Sequence, residues 1–86
     1  MNIEHLIYQK INNVLKFFTE KKYEIKNTTN FIEDLEFDEI DILQIVMDIE
    51  DDLNILINDE EIAKIITVED LLLCVKDKIT NGNDTA

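Results

Sequence analysis

Residues 31–70 read FIEDLEFDEIDILQIVMDIEDDLNILINDEEIAKIITVED, and the spacing of apolar residues along this stretch sets the fold class. Asp38 is a strong N-cap, and Glu39 and Asp41 fall in the first turn of the helix it opens, where the backbone dipole favours acids. Ile42, Ile45, Val46, Ile49 and Leu53 then recur at helical spacing as one apolar face. Ile40, Leu43 and Met47 form a second stripe, about 100° around the same helix. A helix of a small bundle buries one stripe, so the second is either extra core or an exposed contact surface. Ile55 and Ile57 lead into Asn58, Asp59, Glu60 and Glu61, which suit the start of a helix of one to two turns carrying Ile62, Ile65 and Ile66. Thr67 with Asp70 three residues later approximates a capping box for a further helix.

The flanking sequence extends this helical reading. Downstream, Val68, Leu71, Leu72, Val75 and Ile79 lie on one face, Asn81 and Gly82 end the helix, and a tail over 81–86 is expected to fray. Upstream, Ile3, Leu6, Ile7, Ile11, Val14, Leu15 and Phe18 follow the helical rhythm. Between them, 19–37 reads as a long loop with turn formers Asn27, Thr28, Thr29 and Asn30 and with Phe31, Ile32 and Leu35 as anchors. The expectation is an all-α domain over 1–80, four helices with a short third one, around a single core.

Composition narrows the function classes. Acidic residues number 20 against 8 basic ones, and the net charge is −12. Phosphate neutralisation needs clustered cations, so nucleic acid and anionic membrane surfaces are poor ligands. The imbalance is local: residues 1–26 sum to +2, 27–63 to −13 and 64–86 to −1. One cysteine, Cys74, excludes an internal disulfide, and with the one histidine, His5, it cannot build a structural zinc site. The single glycine leaves no phosphate-cradling loop, and the absence of serine leaves no hydroxyl triad, so catalysis by the chain alone is not expected. Asp34, Glu36 and Asp38 mimic the first ligands of a calcium loop, but Glu39 and Ile45 stand where glycine and the last ligand belong. No secretory or transit signature is legible at the start, and no apolar run reaches membrane-spanning length. Cys74 reads as a buried helix residue, and His5 as a surface one.

Four motifs follow one another almost without gaps: Asp38-Glu39-Ile40-Asp41, Ile49-Glu50-Asp51-Asp52-Leu53, Ile57-Asn58-Asp59-Glu60 and Ile65-Ile66-Thr67-Val68-Glu69-Asp70. Together they closely resemble the acyl carrier protein family. Its members read Asp-Ser-Leu-Asp at the head of the second helix, then Leu-Glu-Glu-x-Phe, Ile-x-Asp-Glu-x and Ile-x-Thr-Val-x-Asp. The resemblance implies a four-helix acyl-carrier-like bundle with a long loop between helices 1 and 2. It also implies 4′-phosphopantetheine joined to that serine by a phosphodiester, with acyl groups on its terminal thiol. Here the matching residue is Glu39, which has no hydroxyl, and no serine occurs at any position. Thr28 and Thr29 lie upstream in the loop, and Thr67 caps the last helix. The expected cofactor is therefore none. Two neighbours also depart from the family, with Glu36 and Phe37 where small residues are usual, and Asn58 replaces a customary proline.

Each departure admits two readings. Glu39 is either an ordinary first-turn acid or a fixed charge standing in for the lost phosphodiester. Phe37 is either a loop anchor or an exposed plug that enters a partner's apolar tunnel. For Ile40, Leu43 and Met47 the resemblance implies a partner-facing stripe, flanked by Asp38, Asp41, Asp48, Glu50 and Asp51 to meet Lys and Arg. Gln44 stands where the family commonly has an acid. The function expected is a non-catalytic docking or stabilising subunit in the mitochondrial matrix or the cytoplasm. In the mitochondrial branch of the family the carrier also binds LYR-motif proteins, one of them in the cysteine desulfurase complex of iron–sulfur assembly. An ordinary fatty-acid carrier with a blocked site is the alternative, and an acidic nucleic-acid mimic a remote one.

Overall fold

In a computed structural model, residues 3–18 and 25–82 are described. The first part of the expected loop, 19–24, and the end of the expected tail, 83–86, lie outside the described residues. Among the described residues four α-helices follow in chain order: α1 Ile3–Phe18, α2 Glu39–Leu53, α3 Asp59–Ile62 and α4 Val68–Asp77, the last continued by a π-helical turn Lys78–Gly82. α1 packs against both α2 and α4. Their inner faces bring Ile7, Ile11, Val14 and Leu15 together with Ile45, Val46, Ile49, Leu71, Leu72 and Val75 in one core. Fully burying a side chain of this size stabilises by roughly 1.5–3 kcal/mol, and no buried polar or charged side chain dilutes the cluster among the described residues.

Reciprocal capping boxes open α2, α3 and α4. At α2 the Asp38 carboxylate accepts from the Asp41 N–H at 2.9 Å, and Asp41 accepts from the Asp38 N–H at 3.0 Å. Asn58 with Glu61 and Thr67 with Asp70 repeat the arrangement. Asp70 also accepts from the Ile66 N–H at 2.9 Å, which fixes the approach to α4. At the far end of α2, Asn54 takes a left-handed conformation, and the N–H groups of Asn54 and Ile55 both donate to the Glu50 carbonyl. The Glu50 carboxylate then accepts from the Ile57 N–H at 2.7 Å.

The loop before α2 is tied down by its backbone. Asn30 and Thr67 form an isolated antiparallel bridge, the Phe31 N–H donates to Ile66 O, and the Val68 N–H donates to Thr29 O, both at 3.0 Å. Inside the turn, Asn30 Oδ1 accepts from the Ile32 and Glu33 N–H groups. Phe31 and Leu35 anchor the loop in the core as expected, but Ile32 is 58% exposed. Ile65 and Ile66, expected on the short helix with Ile62, lie beyond its end at Ile62, and Ile66 is 54% exposed while Ile65 is buried. A turn at Ala63 and Lys64 follows α3, so Ile65 and Ile66 lie outside any helix, just before the extended cap residue Thr67. Leu6 and Ile79 are also more exposed than their spacing implies. Ile79 lies in the π turn, whose wider winding rotates it off the α4 stripe.

Candidate functional site at the head of α2

The sequence nominates ten residues for partner binding, and the structure separates them into three groups. Phe37 is corrected outright: it is 5% exposed, stacks 6.3 Å from Phe31 and meets Phe18 edge-on at 6.5 Å. Such an aromatic is held by its burial and its ring contacts, so it cannot reach into a partner's tunnel without opening its own core. It is the loop anchor.

Asp41 and Glu50 form the second group. Both are half-buried, and each has a carboxylate oxygen already accepting a backbone N–H, Asp41 at the α2 cap and Glu50 behind its C-terminus. They shape the helix ends more than they present free charge. The third group is the outward face. Ile40 is 66% and Met47 60% exposed, Leu43 is exposed beside them, and Asp38, Glu39, Asp48 and Asp51 are exposed around the stripe. The second stripe is thus surface, not core. Asp52, next along the same flank, is held by Lys10 of α1 at 3.0 Å.

Beside this face a groove of about 540 Å³ opens between α2 and α3. Ile42 and Leu43 of α2, Ile62 and Ala63 at the end of α3, Ile65 and Ile66 of the link, and Ile32 of the loop line it, and Glu39 and Asp59 supply its carboxylates. Sequence reading missed Ile32 and Ile66 as surface residues. The sequence carries no signal for the split, because the spacing assigns Ile65 and Ile66 alike to a short helix that ends at Ile62.

α3 is clamped from the other side, where Lys78 pairs with Glu61 at 2.8 Å. The hydrogen bond from Lys78 leads in holding the Glu61 carboxyl below its ordinary value, and the Asn58 N–H adds to it. Burial pushes the half-buried Cys74 thiol up, so a reactive thiolate is not favoured there.

Comparison with known proteins fits this geometry. The sequence model of the family described as phosphopantetheine attachment site matches residues 7–75. An acyl carrier protein of Buchnera aphidicola is 35% identical over 82 residues, covering 95% of each chain. The chain belongs to the acyl carrier protein family. Another acyl carrier protein, from Nitratidesulfovibrio vulgaris, is 32% identical over 91% of this chain and 99% of its own. A solved structure from Mycobacterium tuberculosis assigned to the acyl carrier proteins superposes with a TM-score of 0.68 at 25% identity, covering 87% of this chain and 96% of that one. The all-α, acyl-carrier-like bundle is therefore shared with the family, whose name describes carriers rather than catalysts. No helix among the described residues is long and apolar enough to cross a membrane.

Proposed function

We propose that this acyl carrier protein works without a prosthetic arm, as a non-catalytic docking or stabilising subunit that engages a basic partner through the exposed face of α2. The observation that carries the reading is the pairing of Glu39, exposed in the first turn of α2, with the bare Ile40–Leu43–Met47 stripe. A phosphodiester to pantetheine needs a side-chain hydroxyl as nucleophile. Glu39 offers a carboxylate instead, and no Ser, Thr or Tyr lies between Asn30 and Thr67. A carboxylate at this place also repels the phosphate it would have to meet. The residues at the head of α2 do not fit the group.

The face itself suits protein recognition. An apolar centre ringed by acids supplies affinity from the centre, and steering and register from the ring. With Phe37 buried, the contact formerly made by an acyl arm falls to the stripe. A LYR-motif protein of a cysteine desulfurase assembly is the partner that the family resemblance supports. Incubation with coenzyme A and a phosphopantetheinyl transferase, followed by intact mass measurement, tests the lost attachment. The natural chain keeps its mass, whereas Glu39→Ser gains one phosphopantetheine. A gain by the natural chain favours the alternative, a working fatty-acid carrier.

A further inference from the structure

A second set of exposed residues lies along the seam between α1 and α2, on the flank of α2 opposite Glu39 and Leu43. Lys10 meets Asp52, and Phe18 at the end of α1 meets Phe37 just before α2, so the two helices run antiparallel. On α1, Leu6, Lys10, Asn13 and Phe17 recur at helical spacing along this seam. Phe17 is 88% exposed and Leu6 45%. On α2, Gln44, Asp48 and Asp52 follow at i, i+4 and i+8, and all three are exposed. At the rise of an α-helix, Phe17 lies about 10 Å along α1 from Lys10, and Gln44 about 12 Å along α2 from Asp52. They therefore share one end of the seam. Gln44 is the neutral member of an otherwise acidic row, and it stands at the level of the most exposed aromatic ring among the described residues.

We infer that this seam is the interface of a symmetric dimer, its occupant a second copy of this chain. A two-fold axis along the seam lays α1 of each copy over α2 of the other, and every contact occurs twice. Lys10 of each copy then faces Asp52 of the other, so the ion pair within each chain becomes part of an alternating set of four charges. Asn13 faces Asp48 of the second copy, whose carboxylate accepts from the Asn13 amide. Phe17 comes down on Gln44, a neutral amide, where a carboxylate would have to be stripped of water to admit the ring. The charge distribution favours the same arrangement. Residues 27–63 sum to −13, whereas α1 lies in the segment 1–26, which sums to +2. Two copies that meet through their α1 sides keep their most acidic surfaces apart. With Leu6 and Phe17 as its large apolar contacts, the dimer is expected to form reversibly. It is independent of the docking reading above, because Ile40, Leu43 and Met47 stay uncovered.

Sedimentation equilibrium of the full chain over a concentration series tests the dimer. The mass of the natural chain is expected to rise from one copy to two as concentration increases. Phe17→Asp is expected to weaken the association about tenfold, the loss typical of removing a seated anchor. Lys10→Glu and Asp52→Lys, each alone, set like charges face to face and are expected to stay single where the natural chain pairs. Mixed together, these two variants are expected to form a one-to-one dimer. The introduced glutamate then faces the introduced lysine, and the remaining Lys10 faces the remaining Asp52. The rescued mixture also shows that both variants fold, since an unfolded chain offers no such surface. A natural chain with the mass of one copy throughout overturns the dimer. A mixture that stays single overturns the facing of Lys10 and Asp52. A dimer that survives Phe17→Asp and is lost in Ile40→Asp places the two-fold on the α2 stripe and overturns the seam.

Discussion

Glu36 and Phe37 show what single residues do here. Glu36 has φ 59°, in the left-handed region that costs a residue with a Cβ about 1–2 kcal/mol and glycine little. That conformation turns the chain so that the Phe37 N–H donates to Phe31 O at 3.0 Å and the ring enters the core. Glu36→Gly is expected to raise stability by up to about 1 kcal/mol, since relieved strain outweighs the added freedom of the unfolded chain. It appears as a higher urea midpoint with an unchanged slope. Phe37→Ala leaves a cavity between Phe18 and Phe31 and is expected to cost about 3–5 kcal/mol in the same measurement. Ile40→Ala, at an exposed position, is expected to stay within about 0.5 kcal/mol of the natural chain. If Ile40→Ala destabilises as much as Phe37→Ala, the assignment of surface and core here is wrong.

At the scale of elements, α3 has only four residues and no buried side chain, so it depends on its ends. Its capping box with Asn58 and the Glu61–Lys78 pair hold it. Lys78 and the Asn58 N–H hold Glu61 below its ordinary value, so this contribution is present above about pH 4.5 and fades as pH falls through the lowered folded value. Lys78 is shifted the other way by the same hydrogen bond, and its share is lost only as pH rises through its raised value. The stability difference between the natural chain and Lys78→Met is therefore expected to be largest near neutrality and to shrink in acid. A difference that is flat from pH 7 to pH 3 means that the pair does not support α3.

The elements also show which parts of the fold could be read in advance. α1, α2 and α4 are legible because a repeating apolar face fixes type and phase, and in α2 and α4 a capping residue marks the start as well. The stripe of α2 is legible as a stripe, but periodicity cannot say whether a second face is covered, which depends on neighbours distant in sequence. Ile32 sits in a turn with no period at all. In the segment after α2, Ile55 and Ile57 are buried and Leu56 is exposed, an alternation that the sequence does contain. Phe37 was ambiguous because its burial depends on Phe18, nineteen residues back and on another element.

For the whole molecule, thirteen acids and no base over 27–63 set up repulsion that the ion pairs Lys10–Asp52 and Lys78–Glu61 relieve at only two of those acids among the described residues. Lys10–Asp52 and Lys76–Glu4 lie at the surface, where such pairs contribute little and are screened. Added salt is thus expected to raise the unfolding midpoint while slowing association with a basic partner, because the field that opposes folding is the field that steers docking. An unfolding midpoint that drops with salt means that the ion pairs outweigh the repulsion. The central claim is that recognition proceeds through a fixed surface with no tethered thiol. Intact mass spectrometry of the protein isolated from its own cells tests it most directly. The account predicts the mass of the unmodified polypeptide, and a species heavier by one phosphopantetheine contradicts it.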